Sequence, residues 1–246
     1  MRELRILPIL AAALLAACSS SSSPNDPAAG TPGPAGTPTG TTPGTPRTPP
    51  ADDPPPVGTT PFTDPLTDPA AKACTGAAGS LYALSAKRLT VGDDIPLCRL
   101  EGRVVLLVNT ASKCGNTPQY KPLEAVYEQY RTQGLSILGF PSPQFGGQEF
   151  ATDKEVTAFC TSEYKITFPM FTIGDVNGAN KQPVYTWIHS QPGGPAAPNG
   201  YDRDVQWNFE KYLVDRKGKI VLRIENGTYP DSPEVIAAIV AELAKP

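Results

Sequence analysis

The stretch RVVLLVNTASKCGNTPQYKPLEAVYEQYRTQGLSILGF, residues 103–140, decides the fold of this chain. It opens with an apolar run, 103–110, of the kind that forms a strand buried on both faces. Apolar residues then recur at helical spacing from Leu123 to Tyr130, and a second apolar run follows at 135–140. A strand, a helix and a strand in this order form a βαβ unit, so the two strands are predicted to be parallel.

The rest of the folded chain is predicted to add two helices and a hairpin. Residues 156–160 carry a short apolar helical face, and the turn 216–218 joins two predicted strands at 212–215 and 219–225. The apolar face of a C-terminal helix is expected to consist of Val235, Ile236, Ile239, Val240 and Leu243. These elements predict an α/β fold with three layers, α/β/α, around a central mixed sheet.

Composition separates the folded part from a tether. Of the 29 prolines in the 246 residues, 15 fall between Ser19 and Ala70. A stretch so rich in Pro, Thr and Gly buries too little apolar surface to offset its ordering entropy. We therefore expect a disordered tether over 18–70 and one folded domain over 71–246.

Charge and histidine content argue against several kinds of function. The net charge is −3, the pI is about 5.3 and the chain has no basic run, so we expect no nucleic-acid binding. His189 is the single histidine, which excludes a site built from several histidines. We expect neither a metal nor a cofactor.

Residues 1–17 have the features of a signal peptide. Two arginines precede an apolar run that is too short to span a bilayer, and the run ends in Leu15-Ala16-Ala17-Cys18. This ending resembles the bacterial lipobox, which implies cleavage before Cys18 and its lipidation. The alternatives are an uncleaved anchor or a secretory peptide with a chance cysteine. Lipidation predicts a bacterial cell-envelope protein, anchored by lipid and facing the periplasm or the exterior, and Ser19 favours the outer membrane in a diderm cell.

Cys114 is the candidate nucleophile. It follows the first buried strand and precedes a helix, at the carboxyl end of a parallel strand where α/β folds bind their ligands. The free N–H groups of a helix start stabilise a thiolate, and Lys113 is expected to add positive charge. A thiolate attacks a peroxide O–O bond without a histidine base, which suits this chain. The alternative is a small buried apolar residue, the usual role of a free cysteine.

Three blocks of sequence contain this cysteine and other polar candidates. They are Asn109-Thr-Ala-Ser-Lys-Cys114-Gly, Gly139-Phe-Pro-Ser-Pro-Gln-Phe-Gly-Gly-Gln148-Glu and Trp207-Asn208-Phe209. Together they resemble the signature blocks of the glutathione peroxidase family, over a region from about Leu81 to the C-terminus. The resemblance implies a thioredoxin-like fold and a thiol-dependent peroxidase that reduces hydrogen peroxide and organic hydroperoxides.

The resemblance also implies which residues form the site. By position, the polar tetrad of the family corresponds to Cys114, Gln148, Trp207 and Asn208. The cysteine is then the peroxidatic residue, and the other three supply N–H donors to its sulfur or to the leaving oxygen. Many members have cysteine where this chain has Ser142 and asparagine where it has Pro143. We expect Pro143 to alter the loop that carries Gln148.

The remaining cysteines are given separate roles. The segment around Cys160 resembles the one that holds the resolving cysteine in the thioredoxin-dependent branch of the family, which implies condensation with the Cys114 sulfenic acid. The alternative is a core cysteine. Cys74 and Cys98 are expected to form a structural disulfide in an oxidising compartment, the alternative being two unpaired thiols.

The partners follow from the same resemblance. The connection between Trp187 and Trp207 is short, like that of monomeric members, and we find no arginine cluster suited to the carboxylates of glutathione. We therefore expect a monomer with a hydroperoxide substrate and a thioredoxin-like reductant, glutathione being less suited. The alternative hypothesis is an extracytoplasmic redox sensor that passes its disulfide to a partner protein. The absence of Cys-X-X-Cys from the sequence disfavours a thiol–disulfide oxidoreductase.

Overall fold

A computed structural model describes residues 62–66, 68, 73–90, 92–192 and 201–246. The predicted signal peptide, Cys18 and most of the predicted tether lie outside the described residues, as does part of the connection between Trp187 and Trp207. The described strands are β1 (Ser85–Lys87), β2 (Asp94–Pro96), β3 (Val104–Thr110), β4 (Leu135–Pro141), β5 (Lys211–Val214) and β6 (Ile220–Ile224). The described helices are α1 (Tyr120–Tyr130), α2 (Asp153–Glu163), α3 (Pro183–Ser190) and α4 (Pro233–Leu243). None of these helices has the length and apolar character needed to cross a membrane.

The main sheet has the strand order β4-β3-β5-β6. β3 and β4 are parallel, with Val104 opposite Leu135 and Thr110 opposite Pro141. β5 is antiparallel to both β3 and β6. The βαβ unit, the hairpin and the mixed sheet predicted from the sequence are thus confirmed.

Alternate side chains of β3 fill the layers on the two sides of the sheet. Leu106 and Val108 belong to a core cluster with residues of α1, α2 and α4, whereas Val105 and Leu107 belong to one with residues of α3 and β1. All seven residues of β3 and all seven of β4 are buried, which explains their continuous apolar runs. The predicted three-layer α/β/α architecture is confirmed.

The N-terminal part of the domain holds the small antiparallel hairpin β1–β2, which the sequence analysis did not predict. Directly after it, Cys98 forms a disulfide with Cys74, and their Cα atoms are 5.9 Å apart. This is the pair expected to be joined. The bond closes a loop across 24 positions, and such a closure stabilises a fold mainly by restricting the unfolded chain.

The predicted start of the domain at residue 71 is too late. Leu66 is 1% exposed within the core, and its carbonyl accepts a hydrogen bond from Arg99 Nη1 at 3.2 Å. Phe62 packs edge-on against Tyr127, with ring centroids 6.1 Å apart. The Pro-rich composition of this segment did not predict these contacts. Two apolar residues, Phe62 and Leu66, are enough to attach the segment, because the domain has a packing site for each of them.

The predicted apolar face of α4 also needs one correction. Val235 and Ile239 are buried and Ile236 and Leu243 are partly buried, but Val240 is 44% exposed. The face that contacts the sheet is therefore narrower than the sequence pattern indicated.

Candidate active site

Cys114 lies in the loop 111–116, called here the Cys114 loop, which leaves the carboxyl end of β3. Its own N–H donates to Thr117 Oγ1 at 2.9 Å, and the Thr117 hydroxyl donates to Ala111 O at 2.8 Å. The N–H of Asn116 donates to Cys114 Sγ at 3.3 Å. An N–H aimed at a sulfur stabilises negative charge that develops on it. The cysteine is 8% exposed, so it lies just beneath the surface.

The contacts around the Cys114 sulfur differ in detail from those predicted. A 3₁₀ turn, Thr117–Gln119, separates the Cys114 loop from α1, so the N–H at the sulfur comes from the loop and not from the helix. Lys113 was expected to add positive charge, but its Nζ lies 4.0 Å from the centroid of the Phe150 ring and 3.5 Å from Glu149 O. Within the described residues, the contact made directly to the sulfur is therefore the hydrogen bond from the Asn116 N–H.

The loop after β4 brings Gln148 against the Cys114 loop. Gly146 and Gly147 have φ angles of +66° and +63°, a left-handed backbone that glycine adopts without strain. The carbonyl of Pro143 accepts the Gly147 N–H at 3.2 Å within this loop, and the expected effect of Pro143 on the loop stays a prediction. The Lys113 N–H donates to Gln148 O at 2.8 Å and joins the two loops.

Asn208 links the third signature block to the other two. Its side chain is fully buried, and Nδ2 donates to Gln148 Oε1 at 3.0 Å. Its carbonyl accepts a hydrogen bond from Asn116 Nδ2 at 3.3 Å. Because Gln148 accepts through its oxygen here, its own NH₂ group stays available as a donor.

Trp207 forms the exposed edge of this site. Its ring centroid lies 5.7 Å from that of Phe145, and the residue is 39% exposed. Its carbonyl accepts from Asn109 Nδ2 at 3.0 Å. The structure therefore attaches the Trp207 backbone to β3 and leaves part of the indole at the surface.

Asn109 is a positioning residue that the sequence analysis did not single out. Besides the bond to Trp207, its Oδ1 accepts the Glu210 N–H at 3.0 Å and its backbone O accepts the Phe209 N–H at 2.7 Å. Phe209 has a φ of +69°, an unfavourable conformation for a bulky residue. The bonds from Asn109 hold this backbone and so fix the neighbouring Asn208. A polar residue near the end of a buried apolar run was the available signal.

Cys160 lies on α2, the short helix predicted around 156–160. The helix begins with a capping box between Thr152 and Glu155, and its buried residues are Val156 and Cys160. Burial raises the pKa of the Cys160 thiol to about 11; the Tyr120 hydroxyl opposes this rise and the Glu149 carboxylate adds to it. The group is thus a thiol at neutral pH, and it borders a cavity of about 100 Å³.

Known proteins resemble this chain over the region that contains the site. The family described as glutathione peroxidase matches residues 81–189. The glutathione peroxidase-like peroxiredoxin HYR1 of Saccharomyces cerevisiae is 47% identical over 154 residues, which are 63% of this chain and 90% of HYR1. The hydroperoxy fatty acid reductase gpx1 of Synechocystis sp. is 42% identical over 165 residues, which are 67% of this chain and 95% of that protein.

A solved structure extends the likeness to three dimensions. The crystal structure of Trgpx in its apo form is 34% identical in sequence and has a TM-score of 0.54. The match covers 69% of this chain and 99% of Trgpx, and it agrees with the predicted thioredoxin-like fold. Since relatives more than 40% identical are matched over nine-tenths or more of their own length, this chain belongs to the glutathione peroxidase family.

Proposed function

We propose that this protein is a thiol-dependent peroxidase that uses Cys114 to reduce hydrogen peroxide and organic hydroperoxides. The thiolate attacks one oxygen of the O–O bond and becomes a sulfenic acid, while the other oxygen takes a proton and leaves as water or an alcohol. The observation that carries the proposal is the Asn116 N–H donated to Cys114 Sγ, beside the hydrogen-bonded amides of Gln148 and Asn208. The name of the Synechocystis relative, a hydroperoxy fatty acid reductase, supports the inclusion of organic hydroperoxides.

The three partner side chains act as fixed donors in this scheme. An amide N–H of Gln148 and the indole N–H of Trp207 stabilise the charge that develops on the leaving oxygen. Asn208 holds Gln148 through the 3.0 Å bond between Nδ2 and Oε1. A fixed polar site of this kind needs no histidine, and none is used.

Cys160 resolves the sulfenic acid. Its thiol condenses with oxidised Cys114 to a disulfide, and water is released. A disulfide requires Cα atoms about 4.4–6.8 Å apart, and Cys160 starts from the buried face of a helix. The helix α2 therefore opens locally to bring the sulfur atoms together.

A dithiol protein of the thioredoxin type then reduces the disulfide. The names of the yeast relatives, glutathione peroxidase-like peroxiredoxins, support this class of reductant. Within the described residues, Cys114 and Cys160 are the two cysteines outside a disulfide, as the cycle requires. The protein works as a lipid-anchored monomer in the cell envelope, and the lipobox-like sequence before Cys18 supports this placement.

Disulfide mapping by mass spectrometry tests the assignment. After an equimolar addition of peroxide, we expect the wild-type protein to gain a Cys114–Cys160 bond, with Cys74–Cys98 present before treatment. The variant Cys160→Ser is expected to stop at the Cys114 sulfenic acid and to lose thioredoxin-coupled turnover. Unchanged turnover would exclude Cys160 as the resolving residue. Sustained peroxide consumption supports a peroxidase, whereas one stoichiometric oxidation supports a redox sensor.

A further inference from the structure

Asn177 lies between two segments of the candidate active site and is hydrogen-bonded to both of them. It belongs to the loop 174–178, called here the Asn177 loop, which lies between α2 and α3 in the chain. The loop is attached to the last residue of β4, because the Gly174 N–H donates to Pro141 O at 3.0 Å. The proposed reaction has so far given this loop no role.

The first of the two segments is the loop 142–148 after β4, called here the Gln148 loop. Gln144 Oε1 accepts the N–H of Val176 at 2.8 Å and the N–H of Asn177 at 2.9 Å. Gln144 Nε2 donates to Asn177 O at 3.0 Å. Both ends of the Gln144 amide therefore attach the Gln148 loop to the backbone of the Asn177 loop.

The second segment is the one that leads into Trp207. Asn177 Oδ1 accepts the N–H of Val205 at 2.9 Å, and Asn177 Nδ2 donates to Val205 O at 2.8 Å. Two bonds from one side-chain amide to the backbone of one residue fix the orientation of that backbone as well as its position. Val205 is 2% exposed and lies two positions before Trp207. The Asn177 side chain thus holds the chain directly before the Trp207 indole.

The same two segments meet a second time at a pair of aromatic rings. Phe145, the residue after Gln144, has its ring centroid 5.7 Å from that of Trp207. Because Trp207 is 39% exposed, this ring contact covers only part of the indole. The bonds of Asn177 therefore supply the directional connection between the two segments, and the ring contact supplies packing.

A buried ion pair holds the remainder of the segment 203–206. Arg223 donates to two backbone carbonyls of this segment, at 3.1 Å and 3.0 Å, and is itself paired with Glu210. These bonds attach the segment to β5 and β6. Among the hydrogen bonds of the described residues, it is those of Asn177 that connect 203–206 to the Gln148 loop. Replacement of Asn177 is therefore expected to loosen this connection while the segment stays attached to the sheet.

We propose that Asn177 is a positioning residue for the peroxidatic step, which fixes the Trp207 indole relative to the Gln148 amide. These are the two donors assigned to the leaving oxygen. A donor stabilises developing charge only when it is held where that charge forms, and a displacement of about 1 Å can lower a rate about 100-fold. No hydrogen bond of the described residues joins Asn177 to Cys114, so the ionisation of the sulfur is expected to be independent of it. This inference rests on the proposed function.

Two variants remove the connection to different degrees. Asn177→Ala removes both bonds to Val205, whereas Asn177→Asp keeps the acceptor for the Val205 N–H and loses the donor. The bonds of Gln144 go to the backbone of the Asn177 loop and remain in both variants. Asn180→Ala removes an exposed asparagine three positions away and is the matched control.

The experiment compares two reactions of Cys114 in the full chain, each followed by quenched mass spectrometry of the Cys114 peptide. Oxidation by hydrogen peroxide needs the thiolate and donors for the leaving oxygen, whereas alkylation by iodoacetamide needs the thiolate. In Asn177→Ala we expect oxidation to be about 30-fold slower and alkylation to change by less than about twofold. The oxidation rate of Asn177→Asp should lie between those of Asn177→Ala and the wild type. Asn180→Ala should change neither reaction.

Fluorine NMR of protein labelled with 5-fluorotryptophan gives a readout that is independent of activity. The chain has two tryptophans, and the resonance that is lost in Trp207→Phe belongs to Trp207. In Asn177→Ala we expect this resonance to move towards the position of a fully solvated indole. The resonance of Trp187 should stay in place.

Three results would overturn the inference while leaving the peroxidase proposal intact. One is oxidation of Asn177→Ala at the wild-type rate, and another is an unshifted Trp207 resonance. The third is equal slowing of oxidation and alkylation, which would mean general damage to the Cys114 loop.

Hydrogen exchange of the wild-type protein keeps the inference testable if Asn177→Ala does not fold. The Val205 amide lies outside every described helix and strand, yet it should be protected through its bond to Asn177. Exchange at the rate of an exposed amide would contradict the inference. The proposed function fails by a different result, namely wild-type Cys114 that reacts with peroxide no faster than free cysteine.

Discussion

The two cysteines of the proposed cycle lie in regions held together very differently. Cys114 follows a strand that is hydrogen-bonded on both sides and fully buried, and its loop is tied to Gln148 by a backbone bond of 2.8 Å. Cys160 sits on an 11-residue helix with two buried residues. Elements with few buried contacts open at low free energy, whereas central strands open only with the whole domain. The comparison teaches that the attacking sulfur is fixed and the resolving sulfur is able to move.

The largest expected effect is on peroxide consumption, and it comes from replacing Cys114, the cysteine in the firmly held region. Cys114→Ser should lower peroxide consumption by at least about 10³-fold, because Cys160, the other free thiol among the described residues, is buried on a helix and has a pKa of about 11. A ferric–xylenol orange assay of residual peroxide measures it. Cys160→Ser is the matched control and should still consume one equivalent at the wild-type rate. Equal losses in both variants would contradict the division of roles.

Removal of the Cys74–Cys98 disulfide tests whether β3 and the Cys114 loop depend on this bond in the N-terminal part of the domain. The double variant Cys74→Ser/Cys98→Ser should lose about 3 kcal/mol of unfolding free energy, the entropy expected for a loop of this length. Urea denaturation measures the loss. Single-turnover oxidation of Cys114 should be unchanged under folding conditions, and a slower oxidation would mean that the disulfide also shapes the site.

Lys211 on β5 is expected to make the free energy of unfolding depend on pH. It is fully buried, its Nζ donates to Thr228 O, and burial lowers its pKa from 10.5 to about 7. Because the unfolded chain binds this proton more tightly between these values, stability rises with pH, by about 2 kcal/mol from pH 7 to pH 9.

The variant Lys211→Met checks this effect by urea titration at several pH values. It should be more stable than the wild type at pH 7, and the difference between the two should shrink towards pH 9. A difference independent of pH would indicate that Lys211 keeps its proton in the folded protein throughout this range.

The smallest effect is expected in α2. Thr152→Ala removes the capping box and should cost the helix about 1 kcal/mol. Hydrogen exchange of α2 amides should then be about fivefold faster, and the Cys114–Cys160 disulfide should form faster to a similar degree. Ser162→Ala, an exposed hydroxyl deletion in the last turn, should change neither rate. Faster exchange without faster disulfide formation would show that opening of α2 does not limit resolution.

The sequence predicted the elements whose apolar pattern is unbroken. β3 and β4 are continuous apolar runs, because every residue of these strands is buried. α1 has apolar residues along one face, because that face packs against the domain. The hairpin β1–β2 has strands of three residues, too short for a period to emerge. The eight residues of α3 are largely apolar, so their pattern does not mark a single face.

The site was predictable as a set of blocks, but its internal bonds were not. Resemblance placed Cys114, Gln148, Trp207 and Asn208, and the structure brings the segments that hold them together at the carboxyl end of β3. The hydrogen bonds of Asn109 and Glu149 depend on which atoms these residues meet across the fold. From sequence alone, a carboxylate is expected to be exposed, because few aspartates and glutamates are buried.

The packing of Phe62 has a mechanical consequence. Its ring lies 5.7 Å from the Arg103 guanidinium and 5.1 Å from that of Arg131, at the amino end of β3. Cys114 follows the carboxyl end of the same strand. A pull on the chain at Phe62 would therefore act first on this aromatic contact, at the opposite end of β3 from the reactive sulfur.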